Sequence, residues 1–379
     1  MKKILLIACA TGFLQAGLPV FAQDATALYN EGLELKNQKK SSEAWKKFRD
    51  AVALKPDYTE ARYELGWCLN DIQDYQAAID NLRQVRIVWP AVTKVHFELG
   101  YAFEKTTQTD SAIVSYMKCL DFKPDYSGAY KNLGNIYYNK DENEKALYYY
   151  RKYEQYVKTD ITDYLFFYRN GYLMNALKKF DSALFYLNKS LKYKTDYTNT
   201  WLEMGFANTR LKNNDEAISN FRKAMDLDPK SHIPLNGIGE VYRDNLRDIN
   251  EAMNWYKKTL ALNAKERKAC YGMGYCLNSQ QKYSEAIPYL RTAIEQEPTY
   301  TAAFVELGYA LYKTASYTEA EEKLLKAISL SPRNENGRYY LVLLYVTQKN
   351  KPKAQKVVDD LRNISSKYTD ELQNKVDGM

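Results

Sequence analysis

Glycine recurs through this chain on a nearly fixed period. It stands at Gly32, Gly66, Gly100, Gly134, Gly171, Gly205, Gly239, Gly274 and Gly308, in steps of 34 residues except for 37 after Gly134 and 35 after Gly239. A period of that length, held across most of a sequence, requires an array of like units, because one globular core has no need of such a phase. An alanine follows twelve residues later at Ala44, Ala78, Ala112, Ala146, Ala183, Ala217, Ala286 and Ala320, with Ala252 one residue late. Four residues further stands a large apolar side chain, as at Phe48, Leu82, Tyr116, Tyr150, Phe221, Tyr256 and Leu324. Proline closes many units at Pro56, Pro90, Pro124, Pro229, Pro298 and Pro332, each 24 residues after its glycine.

The spacing has a mechanical meaning. Leu65-Gly66 with Leu69, and Leu133-Gly134 with Tyr137, place apolar residues four apart around a glycine, which is one helix stripe with a point of close approach. A short polar turn follows, such as Lys140-Asp141-Glu142-Asn143, and then a second stripe such as Ala146, Tyr150 and Tyr153. The small alanines let the two helices approach. Proline disfavours α geometry in the residue before it and suits a helix start, so it separates one unit from the next. The unit is helix–turn–helix, and alone it cannot bury both faces.

This pattern resembles the tetratricopeptide repeat (TPR), in about ten copies over 25–368. The resemblance implies an all-α fold, an α-solenoid wound as a right-handed superhelix, with first helices lining a concave groove and second helices outside. The last copy (335–368) has Val342 in place of glycine but keeps Tyr345, Ala354 and Val358. The fourth and fifth lack the closing proline and have Lys158 and Thr195. Extra residues near Thr159–Asp163 make a bend expected there, between repeats 1–4 (25–160) and repeats 5–10 (164–368). The segment 369–379 is expected to be a tail or cap with a polar outer face.

Met1-Lys2-Lys3, the apolar run Ile4 to Ala10 and the close at Val20-Phe21-Ala22 have the layout of a secretory signal peptide over 1–22, with cleavage after Ala22. The expected location is therefore the periplasm of a bacterium or its exterior. Leu6-Ile7-Ala8-Cys9 also resembles a lipobox, an alternative in which Cys9 carries a lipid, although the apolar core before it is short. No later stretch approaches the length of a membrane span, so the mature chain is expected to have no transmembrane segment. Lys+Arg 54 against Asp+Glu 47 is too even for a nucleic-acid binder, and Lys349, Lys351, Lys353 and Lys356 read as a solvated helix face.

Catalytic or cofactor chemistry finds little material here. The two histidines, His96 and His232, lie on different repeats with no Cys or acidic partner at ligand spacing, so no metal is expected. Cys68, Cys119 and Cys276 occupy slots where other copies carry alanine, and Cys270 lies on a different helix face from Cys276, so four free, buried thiols are expected. Gly237-Ile-Gly239 and Gly272-Met-Gly274 fall inside predicted helices with no strand before them, which fails the context of a phosphate loop. The chain reads as a non-enzyme with no cofactor.

Binding is expected in the groove. Residues three before and one after each glycine lie four apart, on one face of the first helix. That face offers Tyr63, Trp67, Phe97, Tyr101, Lys131, Asn135, Tyr168, Tyr172, Phe206, Tyr271, Tyr275 and Tyr309 as candidates. Such rings can hold a protein or peptide through apolar anchors, with hydroxyls adding hydrogen bonds. The same rings can instead pack between neighbouring first helices, and one tyrosine can do both. Lys131 and Asn135 resemble half of the carboxylate clamp with which some family members hold a partner's C-terminus. Arg169 follows in the next repeat, but Glu203 stands where a further cation is wanted. Stacking on sugar rings makes a carbohydrate or envelope polymer the alternative ligand. The expected role is a scaffold bringing proteins together in an envelope assembly.

Overall fold

The computed structural model describes residues 24–379, so the leader expected over 1–22, with Cys9, lies outside the described residues. These residues form two compact units, 24–160 and 161–379, with helices and no strand among the described residues. The first unit holds four hairpins: α1 (Ala25–Asn37) with α2 (Ser41–Leu54), α3 (Thr59–Asp71) with α4 (Tyr75–Val88), α5 (Thr93–Lys105) with α6 (Thr109–Phe122), and α7 (Ser127–Asn139) with α8 (Asn143–Tyr156). The second unit begins with α9 (Tyr164–Ala176) and α10 (Phe180–Tyr193), then α11 (Thr198–Leu211) and α12 (Asn214–Leu227). It continues with α13 (Ile233–Glu240), a π-helical turn (Val241–Leu246) and α14 (Ile249–Leu262). The pairs α15 (Arg267–Ser279) with α16 (Tyr283–Gln296), α17 (Thr301–Lys313) with α18 (Tyr317–Leu330), and α19 (Glu335–Thr347) with α20 (Lys351–Asn363) follow, and α21 (Thr369–Asp377) closes the unit. Within each unit every helix packs on the next, and first helices also touch first helices, as α3 does α5 and α15 does α17. Each unit is thus a stack of α-hairpins, the solenoid arrangement.

Most of these helices have 13 or 14 residues, a length marginal in isolation, so their stability comes from the buried stripe. The periodic glycines set how close the two helices of a hairpin come. A Cβ built on Gly100 would lie 2.7 Å from the Tyr116 ring, and one on Gly308 would lie 2.6 Å from Leu324. The same side chain, sixteen residues on, meets the glycine at Gly32 (Phe48), Gly66 (Leu82), Gly205 (Phe221) and Gly274 (Leu290), and each of these partners is fully buried. The departure in the last hairpin is reciprocal. Val342 adds bulk where glycine stands elsewhere, Val358 supplies less bulk sixteen residues on, and both are fully buried in one core.

None of the described glycines has a positive φ; instead the turn of each hairpin places a non-glycine residue in the left-handed region, such as Gln73 (φ 68°) and Ala315 (φ 61°). Glycine serves close approach here, not turning. That also explains the two G-x-G runs. The Phe221 ring is flanked by Gly205 and Gly237, and that of Tyr256 by Gly239 and Gly272.

The 35-residue step after Gly239 has its counterpart in the π turn. The extra residue is absorbed at Val241–Leu246, which returns Ala252 to full burial and Tyr256 to its place against Gly239. α21 lies against α19 and α20, with Leu372 and Val376 fully buried, and so covers one side of that hairpin.

Gly308→Ala is expected to destabilise the second unit by about 1–3 kcal/mol through overpacking against Leu324. Leu324→Val in the same chain should recover part of that loss, reproducing the Val342–Val358 solution. A double-mutant cycle from urea unfolding checks it, and strict additivity would refute the contact as the cause.

Candidate functional site

The two predicted columns of groove residues separate in the structure. The column three before glycine is engaged in stapling neighbouring repeats. Phe97 packs on Tyr126, Tyr168 on Tyr197 and Tyr271 on Tyr300, each with ring centroids 5.0 Å apart. Tyr29 with Tyr58 and Tyr339 with Tyr368 repeat the arrangement, always 29 residues apart. The partner tyrosine immediately precedes the next helix in every case, so the stack fixes where that helix starts. Tyr63, whose 29th neighbour is Val92, uses Trp89 at 6.3 Å instead. Burial raises the hydroxyl pKa of Tyr63 and of Tyr271, as expected for rings committed to packing.

The column one after glycine is half-buried and more varied. Lys36 Nζ stands 4.0 Å from the centre of the Trp67 ring. Tyr101 meets Tyr75 edge-on at 6.1 Å, with Lys105 Nζ 5.3 Å from its ring. Phe206 packs edge-on against Phe221 at 5.3 Å. Tyr309 is covered by Tyr340, stacked at 4.5 Å, and its hydroxyl is 3.3 Å from that of Tyr283. Tyr172 is half-buried on α9. Tyr275 and Tyr271 border Arg243, whose guanidinium carbon is 5.7 and 5.2 Å from their rings. That arginine sits in the π turn, is 9% exposed, and is held by Asp244 through two bonds, Nε to Oδ1 at 2.7 Å and Nη2 to Oδ2 at 2.8 Å.

The clamp residues are otherwise occupied. Asn135 Oδ1 accepts a hydrogen bond from the Tyr150 hydroxyl at 2.8 Å, and Lys131 Nζ lies 6.0 Å from the Tyr153 ring. Glu203 is bonded by Asn175.

A third column was not anticipated. Four residues after the glycine, an asparagine reaches the glutamate 28 residues further along, on the next first helix. Asn70 Nδ2 donates to Glu98 O at 3.1 Å and to its Oε2 at 2.9 Å. Asn175 does the same to Glu203 (2.9 and 2.8 Å), and Asn278 to Glu306 (3.0 and 2.8 Å). In the first rung of the first unit the same positions are a cation and an anion, Lys36 paired with Glu64. Burial raises the carboxyl pKa of Glu98, Glu203 and Glu306, against the lowering effect of each asparagine bond.

In the first unit these features meet at a pocket of about 370 Å³ whose walls include Trp67, Asn70, Tyr75, Phe97, Glu98 and Tyr101. Three predicted residues (Trp67, Phe97 and Tyr101) thus come together, while the remaining nine do not border that pocket.

The other polar candidates have structural duties. His96 Nε2 is 2.7 Å from Pro90 O, and the same slot donates to the carbonyl six residues back from Arg62, Tyr130 and Trp201. His232 Nε2 contacts Asn263 at 3.3 Å. The four described cysteines are free and buried; burial pushes the thiols of Cys68, Cys119 and Cys276 up to about 12 and that of Cys270 to about 11, which suppresses thiolate chemistry.

The buried glutamates carry a pH signature. A carboxyl whose folded-state pKa is raised binds its proton more tightly in the folded chain, so this contribution to stability is present below the unfolded pKa and is lost as pH rises through the folded one. Glu306→Gln is expected to abolish that loss while leaving Asn278 an acceptor. The Tm advantage of the variant over the parent should grow from about pH 4.5 upward and then level off; an advantage independent of pH would refute an ionised buried Glu306.

Among the described residues no helix is long and apolar enough to cross a membrane, and no group of three His, Cys, Asp or Glu side chains is placed to hold a metal. Human (Homo sapiens) protein O-mannosyl-transferase TMTC3 is 22% identical over 363 residues, covering 82% of this chain and 39% of that protein. Anaphase-promoting complex subunit 3 of Schizosaccharomyces pombe is 20% identical over 244 residues, covering 64% of this chain and 36% of that protein. This chain therefore spans less than two fifths of either relative. Among solved structures, the APC/C hetero-tetramer Cut9–Hcn1 aligns with 94% of this chain and 78% of its own at a TM-score of 0.56 and 18% identity, a likeness of fold. Models described as tetratricopeptide repeat match residues 29–84, 93–126, 198–231, 268–300 and 301–334. With the hairpin stack and its glycine contacts, those matches make this chain a member of the tetratricopeptide repeat family.

Proposed function

We propose that this protein is an exported, non-enzymatic scaffold that holds partner proteins or peptides against its first helices and so supports assembly of a bacterial envelope complex. One observation carries the binding reading: Trp67, Tyr101 and Glu98 border an open pocket without belonging to the column of rings that staples the repeats. A half-buried aromatic at a concave site is the type of side chain from which binding hot spots are made. Matched relatives include a subunit of the anaphase-promoting complex, a multi-protein assembly, which accords with a scaffold. The raised thiol pKa values and the backbone-bound His96 support the non-enzymatic reading. Export rests on the Met1-Lys2-Lys3 start, the apolar run and the Val20-Phe21-Ala22 close, and predicts a mature N-terminus at Gln23.

The two ring columns give the test its discrimination. Trp67→Ala with Tyr101→Ala is expected to remove partners co-purified from native envelope and identified by mass spectrometry, while circular dichroism stays helical. Phe97→Ala, which loses the stack on Tyr126, is expected to lower Tm, an aromatic pair being worth about 0.5–1.5 kcal/mol beyond its buried area. Unchanged partners with the double variant would refute the groove. A glycan-array signal lost with Trp67 and Tyr101 would transfer the site to the carbohydrate reading.

A further inference from the structure

The first unit contains its own example of how its groove holds a cation. Lys36 pairs with Glu64 and presents its ammonium to the Trp67 ring, 4.0 Å from the centre. One repeat on, 34 residues along at each position, stand Asn70, Glu98 and Tyr101. Carboxylate and ring recur, but the cation has been exchanged for a short amide. Asn70 supplies Glu98 with one side-chain hydrogen bond, and no ion pair neutralises that carboxylate among the described residues. Asn70 is 4% exposed, borders the pocket, and its Oδ1 has no hydrogen-bond partner.

The charged groups that line this pocket, Glu98 and Asp71, are both carboxylates. Asp71 lies on its border and makes no ion pair there, while the Asn132 amide nitrogen is already given to the Tyr116 hydroxyl at 2.9 Å. The nearby lysines do not fill the gap. Lys36 is engaged by Glu64, and Lys105 reaches the Tyr101 ring without pairing to Glu98. An anion would meet two carboxylates. In the second unit the corresponding ring, Tyr309, is covered by Tyr340, whereas the matching position in the first unit is Asn132, which leaves the Tyr101 side of the pocket open.

We infer that this pocket receives the side chain of a lysine or arginine from the partner peptide, its charged end paired with Glu98 and its stem laid against Trp67 and Tyr101. The contact repeats between chains what Lys36, Glu64 and Trp67 do within one, and joins a desolvated carboxylate to a cation–π surface. It also offsets the burial that disfavours the ionised form of Glu98. The inference rests on the groove reading above and narrows it to a cationic ligand.

Random dodecapeptides displayed on phage and selected against the full chain test it, with affinities then measured by titration calorimetry. Selected peptides are expected to share a lysine or arginine. Glu98→Gln should weaken them at least tenfold, about 1.4 kcal/mol, as should replacing the peptide lysine by norleucine, which leaves the protein untouched. Tyr101→Leu should weaken them as well. Cationic peptides that bind Glu98→Gln as well as the parent would overturn the assignment and reduce it to general surface charge. Peptides without a cation that are lost with Trp67→Ala would overturn the cation while leaving the groove in place. Failure to select any peptide would overturn both.

Discussion

The contact between each periodic glycine and the bulky side chain sixteen residues later, seventeen for Gly239, sets the geometry on which the rest depends. It fixes the separation of the two helices in a hairpin, and the hairpins are then stacked by similar contacts from one to the next. Stability in such an array is a sum of terms within units and between neighbours, so a contact repeated nine times acts as a lattice constant rather than as a local detail. Val342 and Val358, sixteen residues apart and fully buried in one core, accord with a constraint on summed volume, bulk added on one helix being removed from the other.

Once helix separation is set, the first helices present three columns with different duties. Rings three before the glycine bridge to the tyrosine that opens the next repeat, and so hold the step between hairpins. Four of the side chains four after the glycine form polar rungs, Lys36 to Glu64, and Asn70, Asn175 and Asn278 each to a glutamate. The column one after the glycine is half-buried, and in the first unit two of its rings, Trp67 and Tyr101, border a pocket together with Glu98. The site thus arises where two structural columns leave a gap.

Much of this was legible before any coordinates. The glycine, alanine and proline phases identify the unit because each residue type has one steric use at its position. Even the π turn leaves a trace, in the 35-residue step and the late Ala252. The division between stapling and groove rings was not legible, because tyrosine fills both columns and its partner lies 29 residues away in the next repeat. The asparagine–glutamate rungs were written at Asn70/Glu98, Asn175/Glu203 and Asn278/Glu306, yet a spacing of 28 means nothing until the offset between adjacent first helices is known. Lys131 and Asn135 matched a clamp in type and spacing, but a tyrosine sixteen residues after Gly134 claims the asparagine oxygen.

Family membership therefore constrains this protein unevenly. Positions that control stacking tolerate little change, because an altered separation in one hairpin displaces the neighbour that packs on it. The rung position tolerates Lys36, Asn70, Glu104, Asn175, Arg243 and Asn278 with the hairpins still stacked, so its side chain is available to define what the groove recognises. Exchanging Lys36 for Asn70 between consecutive rungs costs the fold one ion pair and leaves Glu98 beside the Tyr101 ring with no ion-pair partner among the described residues. A ligand that restores the missing charge meets a surface already arranged by its neighbour one repeat away, and the recognition chemistry of such a solenoid is to be read from the rungs in which the repeats differ.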